Sequence, residues 1–141
     1  DITNNHSLEK LDSVLKNRVL HIIEENNRVL KMKDAILKNN PSDIGDLMYK
    51  SHLSLRDLYE VSCDEIDFLI ESSKEIAGWY GGRIMGGGFG GNTINLIKKG
   101  QEDDYINTIG DLYQKKYNIL PNSYLIKFDS GVEIIDNISA D

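Results

Sequence analysis

The stretch with most chemistry in it is Arg83-Ile84-Met85-Gly86-Gly87-Gly88-Phe89-Gly90-Gly91. Eight of the chain's twelve glycines fall between Gly78 and Gly91. Glycine costs backbone entropy on folding, so such a cluster either stays loose or sits where no side chain fits. An ordered loop of this kind can bring bare amides close to a phosphate or to another backbone. Arg83 can meet a phosphate or carboxylate bidentately, or pair with an acidic neighbour.

Three readings of the glycines compete. Flexible linkers are padded with serine and polar residues, whereas this run is bracketed by Trp79, Tyr80, Arg83, Met85 and Phe89, and an apolar segment follows at once. The linker reading fails on composition. Gly86, Gly88 and Gly91 satisfy the dinucleotide spacing G-x-G-x-x-G, but that motif needs a helix after it, and Thr93 to Ile97 alternates like a strand. Kinase-type lysine and catalytic-loop signatures are absent, and no Gly-Lys-Ser or Gly-Lys-Thr supplies a Walker loop. A tight strand–loop–strand turn survives, facing a phosphate or a second backbone.

A second polar group lies in "KSHLSLRDLYEVS", with Ser51, His52, Ser54, Arg56 and Asp57. Catalytic triads are assembled in space and lack this local spacing. On a helix His52 and Arg56 share a face. A polar helix end that packs on the glycine loop or caps its own terminus is therefore favoured over a catalytic role. Cys63 sits at a helix start beside Asp64 and Glu65, whose charge opposes thiolate formation, so a structural thiol is expected. His21 has Glu24, Glu25 and Arg28 nearby but no second His or Cys at ligand spacing, so no metal site is expected.

The elements that must position these residues follow from periodicity. Ser7 can cap a short helix bearing Leu8, Leu11 and Leu15, and a longer helix is expected from Lys16 to Leu37 with Val19, Ile22, Ile23, Val29, Leu30 and Ile36 as its apolar positions. Pro41 breaks it, and Ser42 or Asp43 can cap a helix carrying Ile44, Leu47, Met48, Ser51 and Leu55. Ser62 and Glu65 stand at capping-box spacing for a helix running to about Ala77, which Gly78 ends. "GGRIM" and "TINLIKK" then predict strands, Asp103 to Lys116 a helix, and "SYLIKF" and "VEII" two further strands across Asp129-Ser130-Gly131. The fold class is α+β, with helices packed on one face of a small antiparallel sheet.

Length and composition bound the rest. The 141 residues make a single domain, 1–141, with 40% hydrophobic and 28% charged residues, and disorder throughout is excluded. A net charge of −7 argues against nucleic acid as a partner. No apolar run spans a membrane and no signal peptide opens the chain, while the single Cys63 suits a reducing cytoplasm. The start at Asp1 without Met is expected of a piece of a longer protein.

Several stretches together resemble the C-terminal part of galactokinases, members of the GHMP sugar-kinase family. "GDLMYKSHLSLRDLYEVSCDEIDFLI" is similar to the family's stretch from a Leu-Met pair through Ser-His and Ser-Leu-Arg-Asp to Val-Ser-Cys. "GWYGGRIMGGGFGGNTINLI" resembles its third motif, and "NRVLHIIEENNRVL" its upstream Arg/His-bearing helix. The tail with Tyr117, Pro121 and Gly131 is similar in spacing. Departures are also present: Gly82-Arg83-Ile84-Met85 stands where Ser-Arg-Met-Thr is usual, Asn92 where Cys is usual, and Asp64 where Pro is usual.

The resemblance implies the fold of the GHMP kinase C-terminal domain, which is ferredoxin-like. It implies ATP and Mg²⁺ as cofactors, both held mainly by an N-terminal half absent from this chain, and galactose as substrate. It implies that Arg83, Met85, Gly86, Gly87, Gly88, Phe89, Gly90 and Gly91 line the active site, with Ser51, His52 and Arg56 in support. The catalytic groups are implied to lie upstream, so none is assigned here. The alternatives are a non-catalytic sugar and nucleotide sensor, or a kinase for a related sugar such as N-acetylgalactosamine. The N-terminal domain of the same protein is the implied partner, and an isolated half could dimerise through the face left open.

Overall fold

A computed structural model describes residues 8–126, which form four α-helices on a two-stranded antiparallel sheet. Helix α1 spans Ser13–Leu37, α2 Pro41–Ser54, α3 Asp64–Ser73 and α4 Glu102–Tyr117, and strands β1 and β2 span Trp79–Met85 and Asn92–Ile97. Helices α2 and α3 pack on the sheet, α1 packs on α2, and α4 packs on α3. The buried apolar residues Leu47, Ile66, Ile70, Ile84, Tyr105 and Ile109 come from α2, α3, β1 and α4, and fill the space between these layers.

The helix starts differ from expectation by a few residues, because other side chains reach the free amides first. Helix α1 starts at Ser13 rather than Lys16, because Asp12 caps it, its carboxylate accepting from the Leu15 amide at 2.9 Å. Asn40 caps α2 through the Asp43 amide, so Pro41 opens the helix at its first position, where a missing N–H is harmless. The expected capping box at Ser62 is not formed. Cys63 is the N-cap of α3 and Ser62 Oγ instead donates to Asp67 Oδ1 at 2.5 Å. Helix α3 stops at Ser73, four residues before Ala77, and Gly78 opens the sheet by accepting from the Lys98 amide at 2.7 Å.

After α2 the chain makes one wide π-helical turn, Leu55–Tyr59, closed by Glu60 in the left-handed conformation. Arg18 of α1 donates to the Leu58 carbonyl and to Glu60 Oε2, and its guanidinium lies over the Tyr59 ring. His21 Nδ1 bonds Ser54 Oγ at 2.8 Å, with its ring tilted on Tyr59. The wide turn is thus clamped by α1.

Two glycines decide how closely α2 approaches the sheet. The ladder slips at Tyr80, which faces no partner between Trp79↔Ile97 and Gly81↔Leu96. A Cβ on Gly45 would collide with the Tyr80 carbonyl, and one on Gly81 with the Gly45 carbonyl. Helix and strand therefore touch backbone to backbone.

Residues 123–126 have no regular structure, and Tyr124, Leu125 and Ile126 are exposed, so the described part of the expected "SYLIKF" strand is not formed. The remainder of that strand, "VEII", the Asp129-Ser130-Gly131 turn and the Ser7 cap lie outside the described residues. On α1 the buried residues are His21 and Ala35, whereas Leu15, Ile22, Val29 and Ile36, at seven-residue steps, are 50–61% exposed. Of the apolar positions read from periodicity, Val19 and Ile23 are half-buried, whereas Ile22, Val29, Leu30 and Ile36 are exposed. No described helix is long and apolar enough to cross a membrane.

Candidate functional site

The glycine loop joins β1 to β2, and its conformation explains its composition. Gly86, Gly88, Gly90 and Gly91 have φ between +91° and +122° or close to it, a region costly for any residue with a Cβ. Phe89 also has positive φ, with its ring 77% exposed. Space is limiting at Gly88 alone within the loop, where a Cβ would lie 2.5 Å from the Val61 carbonyl oxygen and 2.7 Å from the Val61 Cβ. Around Gly86, Gly87 and Gly90 nothing lies within 4 Å of a Cβ position. The glycines are therefore required mostly by backbone direction, and by crowding at one point.

That point is also where the loop is held. The Phe89 amide donates to the Val61 carbonyl at 2.7 Å, and the Val61 amide donates to the Leu55 carbonyl at 3.1 Å. Among the described residues, Phe89 is the one member of Gly86–Gly91 whose amide meets a backbone carbonyl outside the loop's flanking strands. Gly86, Gly87 and Gly91 are exposed, and Gly88 and Gly90 partly so. The loop is pinned at its middle and presents peptide groups on both sides of the pin. Met85, the last residue of β1, stands beside it, 41% exposed.

Arg83 does not point its charge freely at the loop. It donates to Ser51 Oγ at 3.0 Å, to Glu25 Oε1 at 3.3 Å and to the Ile84 carbonyl. Ser51 itself donates to Glu25 Oε1 at 2.7 Å, and Arg28 holds the other oxygen, Oε2, at 2.7 Å. Burial pushes the Glu25 carboxyl up, but the hydrogen bonds from Ser51 and Arg28 and the two nearby arginine charges outweigh it and hold the group below its usual range. Glu25 is thus an anionic hub joining α1, α2 and β1. A cleft of about 150 Å³ opens there, lined by Arg28, Val29, Met32, Leu47, Met48 and Arg83 among others. Arg83 thus pairs with an acidic neighbour, Glu25. Sequence reasoning missed Glu25 as its partner, since 58 residues separate them.

The "SHLSLRD" residues divide among different neighbours. Ser51 joins the Glu25 hub. His52 is fully buried, its Nε2 3.3 Å from Asp67 Oδ1, and burial lowers its pKa, opposed by the Asp67 charge. Arg56 pairs with Asp57 at 2.7 Å and approaches Glu71, which raises its pKa further and keeps it charged. Among the described residues, none of these three side chains hydrogen-bonds to Gly86–Gly91. The contact with the loop is made by Val61, beyond the π turn. Cys63 is a free thiol. Among the described residues no cluster of three His, Cys, Asp or Glu that could hold a metal occurs.

Comparison with known proteins places this arrangement. The family described as "GHMP kinases C terminal" matches residues 32–113. The galactokinase of Thermotoga neapolitana is 42% identical over 91% of this chain and 37% of its own length. That of Thermosipho africanus is 44% identical over 84% of this chain and 34% of its own, and that of Bacillus subtilis 40% identical over 82% and 30%. A crystal structure of Lactococcus lactis galactokinase complexed with galactose superposes with a TM-score of 0.76 at 31% identity, covering 83% of this chain and 31% of that one. The chain spans about a third of the length of the relatives it matches.

Proposed function

From the premise that the chain belongs to the GHMP kinase C-terminal family, we propose that residues 1–141 form the C-terminal domain of a galactokinase. In that enzyme the γ-phosphoryl of ATP passes to the C1 hydroxyl of galactose. One observation carries the reading: a glycine loop anchored at Phe89, with the amides of Gly86, Gly87, Gly88, Gly90 and Gly91 left without a backbone acceptor outside the flanking strands. Successive free amides attract phosphate oxygens, and glycine lets them come close. Phosphoryl transfer depends mainly on positioning and charge stabilisation, so a wall without titrating groups contributes. ATP supplies the transferred group when bound, and the chain's part is to orient its phosphates.

Arg83 acts in this account through Glu25 and Ser51, tying β1 to α1 and α2 so that the loop leaves a fixed strand end. The groups that hold Mg²⁺ and deprotonate the sugar belong to the N-terminal half. The uncovered stripe Leu15, Ile22, Val29 and Ile36 is proposed to pack against that half, given that about two thirds of each relative's length has no counterpart in this chain. A cytoplasmic setting is part of the same proposal, supported by the free thiol of Cys63.

Met85 favours a second reading. It stands exposed beside the loop where the family usually has a threonine hydroxyl, which fits a galactokinase-like protein that binds sugar and nucleotide without turnover, or one that takes a related sugar. Coupled ADP release from Mg·ATP, with galactose and with N-acetylgalactosamine, separates these readings. The 141-residue chain and the full-length protein that carries it are assayed side by side. Galactose-dependent release by the full-length protein alone is the expected result. Release by neither, with galactose still bound, would replace the kinase by the sensor.

A further inference from the structure

His52 is the least explained polar group in the described residues. Its side chain is 0% exposed, and neither ring nitrogen has a hydrogen-bond partner of good geometry. A buried polar group without a partner destabilises the fold, and an apolar ring of the same size would fill the space without that penalty. The ring approaches a carboxylate oxygen. Nε2 lies 3.3 Å from Asp67 Oδ1, the same oxygen that accepts the Ser62 hydroxyl at 2.5 Å. Ser62 follows Val61, whose carbonyl holds the Phe89 amide and whose Cβ lies where a side chain on Gly88 would have to go. From the other direction, the His52 carbonyl accepts from the Leu55 amide, and the Leu55 carbonyl in turn holds the Val61 amide.

We propose that His52 is a positioning residue for the glycine loop, acting through Asp67 and Ser62 on the Val61 peptide that seats Gly88 and Phe89. The Nε2 edge of the buried ring, 3.3 Å from Asp67 Oδ1, backs the carboxylate that holds the Ser62 hydroxyl, and so limits where the Ser62–Val61 turn can sit. Two anchors, Ser62 on Asp67 and Val61 on Leu55, then leave the Val61 carbonyl one direction in which to accept. Burial lowers the pKa of the ring, so its hold on Asp67 comes from its fixed placement. The catalytic consequence rests on the kinase reading above, whereas the structural link does not.

The test begins with amide hydrogen exchange in the full-length protein that carries residues 1–141. His52→Phe keeps the ring volume and removes both nitrogens, and Ser62→Ala removes the same link at a half-exposed site, so one variant reports if the other does not fold. Exchange of the Phe89 amide should quicken by about tenfold in each, while that of Ile109 in α4 stays within about twofold. An unchanged Phe89 amide, or an equal rise at Ile109, would overturn the proposal. In the full-length protein the same variants should raise the KM for ATP by about tenfold and leave the KM for galactose unaltered. A merely structural role would reduce active protein, lowering kcat without moving either KM. If the wild-type full-length protein binds no nucleotide, the kinase reading fails, and the exchange result still decides the role of His52.

Discussion

Substituting alanine along the glycine loop should produce a graded series, because each position is glycine for a different reason. At Gly87 the φ is ordinary and no atom lies within 4 Å of a Cβ, so Gly87→Ala should be neutral or stabilise by up to about 0.5 kcal/mol through the unfolded chain. At Gly86 space is open but φ is +102°, so the backbone penalty applies alone, about 1–2 kcal/mol. At Gly88 the same penalty is joined by a Cβ 2.5 Å from the Val61 carbonyl oxygen. Relieving that contact means moving the one backbone bond that pins the loop, which adds about 1 kcal/mol for the lost Phe89–Val61 bond. The total for Gly88→Ala is therefore about 2–4 kcal/mol, the sum of these two terms and some packing strain. Urea unfolding of the three variants followed by circular dichroism gives the comparison, with midpoints read at unchanged slope. Equal midpoints for Gly87→Ala and Gly88→Ala would refute the pinned-loop description.

Gly45→Ala should destabilise by about 3 kcal/mol or more although alanine is the better helix former by about 1 kcal/mol, because its Cβ meets the Tyr80 carbonyl; a stabilised variant would contradict the backbone contact between α2 and β1. Arg83→Ala should cost less than about 1 kcal/mol in unfolding experiments, its pair with Glu25 being partly solvated, yet lower kcat/KM of the full-length protein well beyond that loss. Stability should fall on acidification below pH 6.5, the ordinary value for His21 and His52, since burial lowers both and the unfolded chain then binds protons the folded chain refuses. Around His52 the charges are Asp67, Arg56, Glu71 and Asp57, and around His21 they are Glu25, Arg28, Glu24 and Arg83. The contribution is complete above pH 6.5 and shrinks toward the lowered folded values, so a urea midpoint independent of pH between 7.5 and 5.5 would count against it.

Periodicity made the four helices and the two strands legible, since each buries an apolar stripe or alternates across a ladder. It misjudged what those stripes touch. Ile22 and Val29 have helical spacing on α1 yet stand uncovered, because spacing reports a face and says nothing of its partner. Gly45 and Gly81 were not singled out, for a lone helical glycine carries no sign of the strand that will press on it. The wide turn at Leu55–Tyr59 was invisible because its clamp, Arg18, comes from α1. Of the site, the glycine loop was legible from composition and the neighbours of Arg83 only as a class, an acidic residue without a number. The role of Val61 could not be read, since it acts through its backbone, which every residue has.

The most direct test of the central claim is amide hydrogen exchange of Gly86–Gly91 in the full-length protein, with and without Mg·ADP. The account predicts that nucleotide slows exchange of the five glycine amides by about fivefold or more, while Phe89, already bonded to Val61, changes little. Nucleotide binding that leaves all six amides unaltered would show that the loop does not face the phosphates.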